Sequence, residues 1–354
     1  MKKQFIGNFI SIVAGIILGI QNVAAESVDR TSNSSSSIEC SFTTVGGFSN
    51  DQIWDIAIDG NDYIYALPPQ GGICKSLDHG ATWQYQDNAG FFEHRLLAID
   101  NNNNVYVGGS GEPSMGNYLF KTTDGGVSWY NVSEDSTYNL HGLATDTIGQ
   151  VFTVGVGLNA SVNVSRDGGE TWEYVEKKAT EWIFVDLNND IYLFYGGPNS
   201  HKSTDGGISW NDLTVPYGSF IEVAVDTSNN IFIGDAGSEL GLFKSTDGGN
   251  HWENILRKCY IQSVAIDKNN NDIYAGILRY SLTGEKKHSL LKSTDGGVTW
   301  ITTNMPERNI NSIAIDGKGH VYVGTNEMGN GVGIGYFFKS TDGGDTWERL
   351  GTNP

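Results

Sequence analysis

The chain has 354 residues, a formal net charge of −19 and 38% hydrophobic residues, enough for a sizeable core. The acidic balance argues against nucleic acid and anionic membrane surfaces as partners, since both would repel it. Three cysteines, Cys40, Cys74 and Cys259, are too few for a disulfide framework. One pair can form after export, and buried unpaired thiols are at least as strong an expectation for Cys74 and Cys259.

Lys2 and Lys3 precede an apolar run from Phe9 to Ile20, followed by Val23-Ala24-Ala25. Residues 1–25 therefore read as a signal peptide cleaved after Ala25, with an apolar run too short for a membrane span. The expectation is an exported protein, periplasmic or secreted, with no membrane insertion after cleavage. The serine-rich residues 26–39 read as a disordered leader. The remainder, 40–351, reads as one domain.

From residue 51 onward the chain repeats itself. Each unit opens with a short apolar stretch ending in aspartate, such as Trp54-Asp55-Ile56-Ala57-Ile58-Asp59 or Asn311-Ser312-Ile313-Ala314-Ile315-Asp316. An Asn- or Gly-rich turn follows, then a second strand such as Val105-Tyr106-Val107-Gly108, then a loop of variable length. A third strand leads into Asp-x-Gly-x-Thr/Ser-Trp or a close variant, where the fourth strand starts. The aspartates of this second motif are Asp78, Asp124, Asp167, Asp205, Asp247, Asp295 and Asp342, and the tryptophans step by 46, 43, 38, 42, 48 and 47 residues. A carboxylate can accept backbone N–H groups a few residues on, and glycine supplies the positive φ of a tight turn. The motif is thus a hairpin turn with a tryptophan anchor, and its seven aspartates are structural.

Four short strands per ~40–45 residues, with no helical periodicity, is the period of a β-propeller. The expected fold is all-β: a seven-bladed β-propeller of four-stranded antiparallel blades. Ring closure is open at this level. Trp347-Glu348 begins a fourth strand for the last blade, and Ser41-Phe42-Thr43-Thr44-Val45 looks like an additional outer strand.

The Asp-x-Gly-x-Thr-Trp copies resemble the Asp-box, or BNR repeat, over about residues 51–350. That family includes sialidases, sortilin-type receptors, xyloglucanases and a photosystem II assembly factor. The resemblance implies that the box is structural and lies away from any active site. Gly46-Gly47-Phe48, Ile56-Ala57-Ile58 and Ile64-Tyr65-Ala66 resemble the opening of a xyloglucanase propeller. That likeness implies a catalytic aspartate just before a Gly-Gly pair, but Pro69 stands there, in Leu67-Pro68-Pro69-Gln70-Gly71-Gly72. A sialidase would need an arginine cluster and an Arg-Ile-Pro motif, whereas the chain has seven arginines and no such motif.

Ordinary glycosidase chemistry needs two carboxylates flanking the bond. Asp55, Glu93, Glu181 and Glu222 are available, but their pairing is invisible in the sequence, so no catalytic residue is assigned. No zinc-type His/Cys spacing appears. The Asp/Asn turns such as Asp267–Asp272 offer oxygens to calcium, but they need no ion. The expectation is no metal and no cofactor. Loops between second and third strands vary most (66–73, 109–117, 155–161, 195–200, 234–241, 276–289, 325–335), so function is expected on the face that bears them. Five residues before each strand-ending aspartate stand Trp54, Arg95, His141, Glu181, Ile221, Gln262 and Asn311. Four before stand Asp55, Leu96, Gly142, Trp182, Glu222, Ser263 and Ser312. This polar and aromatic mix predicts a ligand site at the mouth of the channel, made of Trp54, Asp55, Arg95, His141, Glu181, Trp182, Glu222, Gln262 and Asn311, with Arg308 adjoining. The long loops 276–289 and 325–335 would form its rim. The functional expectation is a non-catalytic module that binds a glycan or a protein, with a glycoside hydrolase as the alternative.

Overall fold

The computed structural model describes residues 53–68, 72–86, 94–110, 117–133, 139–156, 161–176, 182–194, 200–216, 218, 220–237, 239–280, 286–306, 308–329 and 332–350. The expected signal peptide, the leader, the Ser41–Val45 strand, Pro69, Glu93 and Glu181 lie outside them. Seven antiparallel sheets are present, each of four consecutive strands, here called A to D from the channel outward. Blade 1 runs through Ile56–Ile58, Ile64–Ala66, Ile73–Ser76 and Gln84–Gln86. Blade 7 runs through Asn309–Ile315, Val321–Gly329, Phe337–Ser340 and Glu348–Leu350, with a further strand, Val332–Ile334, pairing with its B strand. The B strands are buried on both sides, as in Ile191–Phe194 and Ile231–Asp235, so they read as continuous apolar runs rather than alternating ones. The core lies between blades: Phe232 and Leu242 of blade 5 pack with Ile261, Ile273 and Ala275 of blade 6.

Two turns recur, both on one face of the ring. In the A–B turn the strand-ending aspartate accepts two backbone N–H groups: Asp100 Oδ1 takes those of Asn102 and Asn104, both at 2.9 Å. Its third following residue is left-handed in most copies, as in Asn103 at φ 62° and Asn189 at φ 65°, which is why asparagine recurs there. In the C–D turn Asp205 Oδ1 accepts the Ser209 N–H at 2.9 Å and Asp205 Oδ2 accepts its hydroxyl at 2.6 Å. Ser203 Oγ accepts the Gly207 N–H at 2.8 Å.

The blades are clasped by a repeated contact. A C-strand lysine lies across a B-strand aromatic ring and donates to a turn carbonyl of the next blade. Lys75 reaches Gly125 O at 2.7 Å, Lys121 reaches Gly168 O at 2.9 Å, and Lys202 reaches Gly248 O at 3.2 Å. In blade 3 Val164 occupies the lysine position, and Arg166 reaches Gly206 O at 3.1 Å instead.

The same clasp closes the ring, since Lys339 of blade 7 donates to His79 O of blade 1 at 3.1 Å. Asn311 Nδ2 donates to Ile53 O at 3.0 Å, and Ile53, Ile56, Ile64, Tyr322, Phe337 and Leu350 form one buried cluster. Blade 7 supplies its own D strand, so among the described residues the first and last blades meet as neighbours rather than sharing a sheet.

The cysteine alternatives left open by the sequence divide: Cys74 is disulfide-bonded, while Cys259 is free and buried. One expectation needs correction. The stretches 276–289 and 325–335 are in large part strand. Blade 6 extends as a hairpin with Arg279 opposite Lys287 and Tyr280 opposite Lys286. In blade 7 Glu327–Gly329 pair with Val332–Ile334. Polar and charged residues dominate the blade 6 extension, and glycines interrupt that of blade 7, so no sustained alternation announced either.

Candidate functional site

The A strands stand side by side around the channel: blade 1 against 2, 2 against 3, 3 against 4, 5 against 6, 6 against 7 and 7 against 1. Each exposes an edge whose N–H groups lack a strand partner, and such groups need acceptors. The side chain four residues before the strand-ending aspartate provides one. Ser263 Oγ accepts the Ile313 N–H at 3.1 Å, and Ser312 Oγ accepts the Ile56 N–H at 3.2 Å. Asp55 hydrogen-bonds the Leu97 N–H and Glu222 the Val264 N–H in the same register. Leu96, Gly142 and Trp182 hold this position in the other three blades and have no acceptor to offer there.

Asp55 and Glu222 are therefore latches of the channel wall, and they are also its electrostatic anomaly. Both keep some accessible surface, yet neighbouring blades surround them. Burial pushes the Asp55 carboxyl up to about 7, against hydrogen bonds from Ile56, Ser312 and Leu97 that hold it down. Burial pushes Glu222 well above the ordinary carboxylate range, and the Asp55 charge pushes it further. The two acids sense one another across the ring, from blade 5 to blade 1, so burial and like charge both favour the protonated form of Glu222.

The other mouth residues fall into groups. Trp54 packs against the core between blades 1 and 2, with Leu67, Val105 and Val107, and Trp182 packs against that between blades 4 and 5. Asn311 is buried and holds Ile53 O. Gln262 Nε2 donates to Asn309 Oδ1, and Gln262 Oε1 lies 3.2 Å from His288 Nδ1, giving a polar cluster at the mouth between blades 6 and 7. Arg308 stacks on Tyr336 at 4.4 Å, and Arg349 lies 4.1 Å from the same ring. His141 lies on the blade 3 A strand, half-buried, and Arg95 on that of blade 2.

The sequence placed residues 276–289 on the rim as a loop but did not show that they pair as a hairpin. Its end carries Arg279, Lys286 and Lys287, all exposed, with Tyr280 edge-on to Tyr260 at 5.8 Å. On a strongly acidic chain this tip groups three cations with an aromatic pair, and Glu239 of blade 5 hydrogen-bonds Tyr260 at its base. Those residues were legible, but their alignment on one hairpin needed the register.

The geometry defines a seven-bladed β-propeller whose loop-bearing face has a charged, aromatic sector on blades 6 and 7. No protein-family model matches the chain. Among curated proteins it is similar to Xyloglucanase Xgh74A of Acetivibrio thermocellus, 29% identical over 250 residues, covering 53% of this chain and 29% of that one. The chain thus spans less than a third of that relative. Among solved structures, the GH74 xyloglucanase from Xanthomonas campestris matches with a TM-score of 0.67 at 15% identity, over 86% of this chain and 53% of that one. YCF48 bound to D1 peptide matches with a TM-score of 0.60 at 14% identity, over 85% of this chain and 94% of that one. At these identities the structures share the fold.

Proposed function

We propose that the protein is an exported, non-catalytic binding module whose loop-bearing face takes a glycan or a protein segment carrying carboxylates. One observation carries this reading. The two channel acids that sense each other, Asp55 and Glu222, are each engaged by a backbone N–H of the neighbouring blade, so they serve the wall rather than a bond to be cleaved. The basic hairpin tip, the Arg308–Tyr336–Arg349 stack and the Gln262–Asn309–His288 cluster then supply cations, a ring face and hydrogen-bonding groups on one sector. His141 adds a half-buried polar group on the blade 3 A strand. A named likeness to YCF48 bound to D1 peptide agrees with a peptide ligand, and the likeness to xyloglucanases agrees with a glycan.

The xyloglucanase similarity also favours a second reading, a glycoside hydrolase. One experiment separates the two: the protein is applied to an array of neutral and acidic oligosaccharides and acidic peptides, and each bound sugar is assayed for new reducing ends. Retention of an acidic ligand without new reducing ends is the expected result. Turnover of a bound oligosaccharide would establish the hydrolase instead.

A further inference from the structure

The seam between blades 7 and 1 differs from the others in two residues, and they meet. In six of the seven C–D turns the residue after the aspartate is glycine, as at Gly125, Gly206 and Gly343; in blade 1 it is His79, left-handed at φ 58°. In the A–B turns the place held in blade 7 by His320 is held elsewhere by residues such as Asn104, Gln150 and Asn230. The inter-blade clasp puts these turns side by side, and Asp316, the strand-ending aspartate of blade 7, lies between them.

We propose that His79, Asp316 and His320 form a site for a divalent transition metal of the zinc class, bridging the first and last blades. Asp316 Oδ2 lies 3.4 Å from His79 Nδ1 and 2.8 Å from His320 Nδ1, and the three donor atoms lie within 4.8 Å of one another. A tetrahedral ion with bonds of about 2.0–2.1 Å sets its donors about 3.4 Å apart, so the first distance already fits and the second opens by about half an ångström. Two imidazoles and one carboxylate are a donor set that zinc takes, with water completing the shell. A second observation points the same way: His79 Nδ1 is buried and has no hydrogen-bond partner, although it faces Asp316. Tyr322 donates to Asp316 Oδ2 at 3.1 Å, the outer contact that orients a ligating carboxylate.

One neighbour opposes the ion. Lys318 Nζ lies 2.9 Å from His79 Nε2. When Nδ1 binds metal, Nε2 carries the ring proton, so the exposed Lys318 side chain turns out into water. The ion would fasten the ring at the seam where the chain's first and last blades meet.

The test uses the full chain, stripped with chelator and dialysed, with zinc chloride as the probe. Calorimetry is expected to find one zinc per chain, and thermal melting a rise of several degrees. His79→Gly and His320→Asn each restore a residue found in other blades, so both variants fold with a metal-free melting temperature close to that of the wild type. Each is expected to bind zinc at least tenfold more weakly and to lose the rise. Absence of binding by the wild-type chain overturns the proposal. So does an undiminished rise in the double variant, which would place the ion elsewhere, for instance at the exposed His251–Asp247 pair.

Discussion

Asp55→Asn is expected to raise the melting temperature at pH 8 and to leave it nearly unchanged at pH 4. The folded-state value of about 7 lies above the ordinary 3.8. A group raised in this way keeps its proton in the folded chain where the unfolded chain has lost it. Stability therefore declines as the pH climbs from about 4 through 7, and the loss is complete above that. Lifting one carboxyl from 3.8 to about 7 corresponds to about 4 kcal/mol. Asparagine keeps an oxygen for the Leu97 N–H and carries no charge to desolvate, and it relieves Glu222 of its charged neighbour. The turn aspartates act in the opposite sense. Hydrogen bonds from Ser128 and Thr346 hold Asp124 and Asp342 at about 2, so their contribution is lost as the pH falls from about 4 towards 2. Melting curves from pH 4 to 8 check this. A variant as pH-sensitive as the wild type would show that Asp55 does not carry the desolvation.

Trp300→Ala is expected to cost about 3–5 kcal/mol, the range of large-to-small changes in a core. Trp300 opens the D strand of blade 6 and packs against the cluster of Phe232, Leu242 and Leu256 from blade 5 with Ile273 and Leu291 from its own blade. Its Nε1 donates to Ile255 O and Gly297 O, each at 3.1 Å. Alanine removes the filler between two blades and leaves the Ile255 carbonyl without that donor. The next residue provides the control: Ile301 is 59% exposed, so Ile301→Ala is expected to cost less than about 0.5 kcal/mol. Denaturant unfolding measures both. Equal effects would mean that the tryptophan is not an inter-blade anchor.

The architecture was legible because each unit repeats its own turn chemistry. Asp205, Gly207, Ser209 and Trp210 announce a hairpin from four residues, and seven such hairpins announce a ring. The site was legible only in part. Asp55, Ser263 and Ser312 stand at matched positions, and the sequence aligned them correctly. It could not show that the edge of the next blade presents an N–H to each, because that accounting runs between units about forty residues apart. Trp54 and Trp182 were read as ligand-site residues for the same reason: a tryptophan at a strand end carries no mark of the neighbour it packs on. The extended hairpin of blade 6 was missed because Arg279, Tyr280, Lys286 and Lys287 read as loop residues until paired. His79 was visible throughout as a broken repeat, and it gained a meaning only beside Asp316 and His320.

Binding at the basic hairpin is the claim on which the functional account stands. The direct measurement is a titration of the strongest acidic ligand from the array against the wild-type chain and against Lys286→Glu/Lys287→Glu, at low and at physiological salt. Both lysines are exposed, so the variant should melt at the wild-type temperature. It should bind at least tenfold more weakly, and wild-type affinity should fall as salt screens the contact. Unchanged affinity in the folded variant would contradict the account and move the ligand off this sector of the propeller.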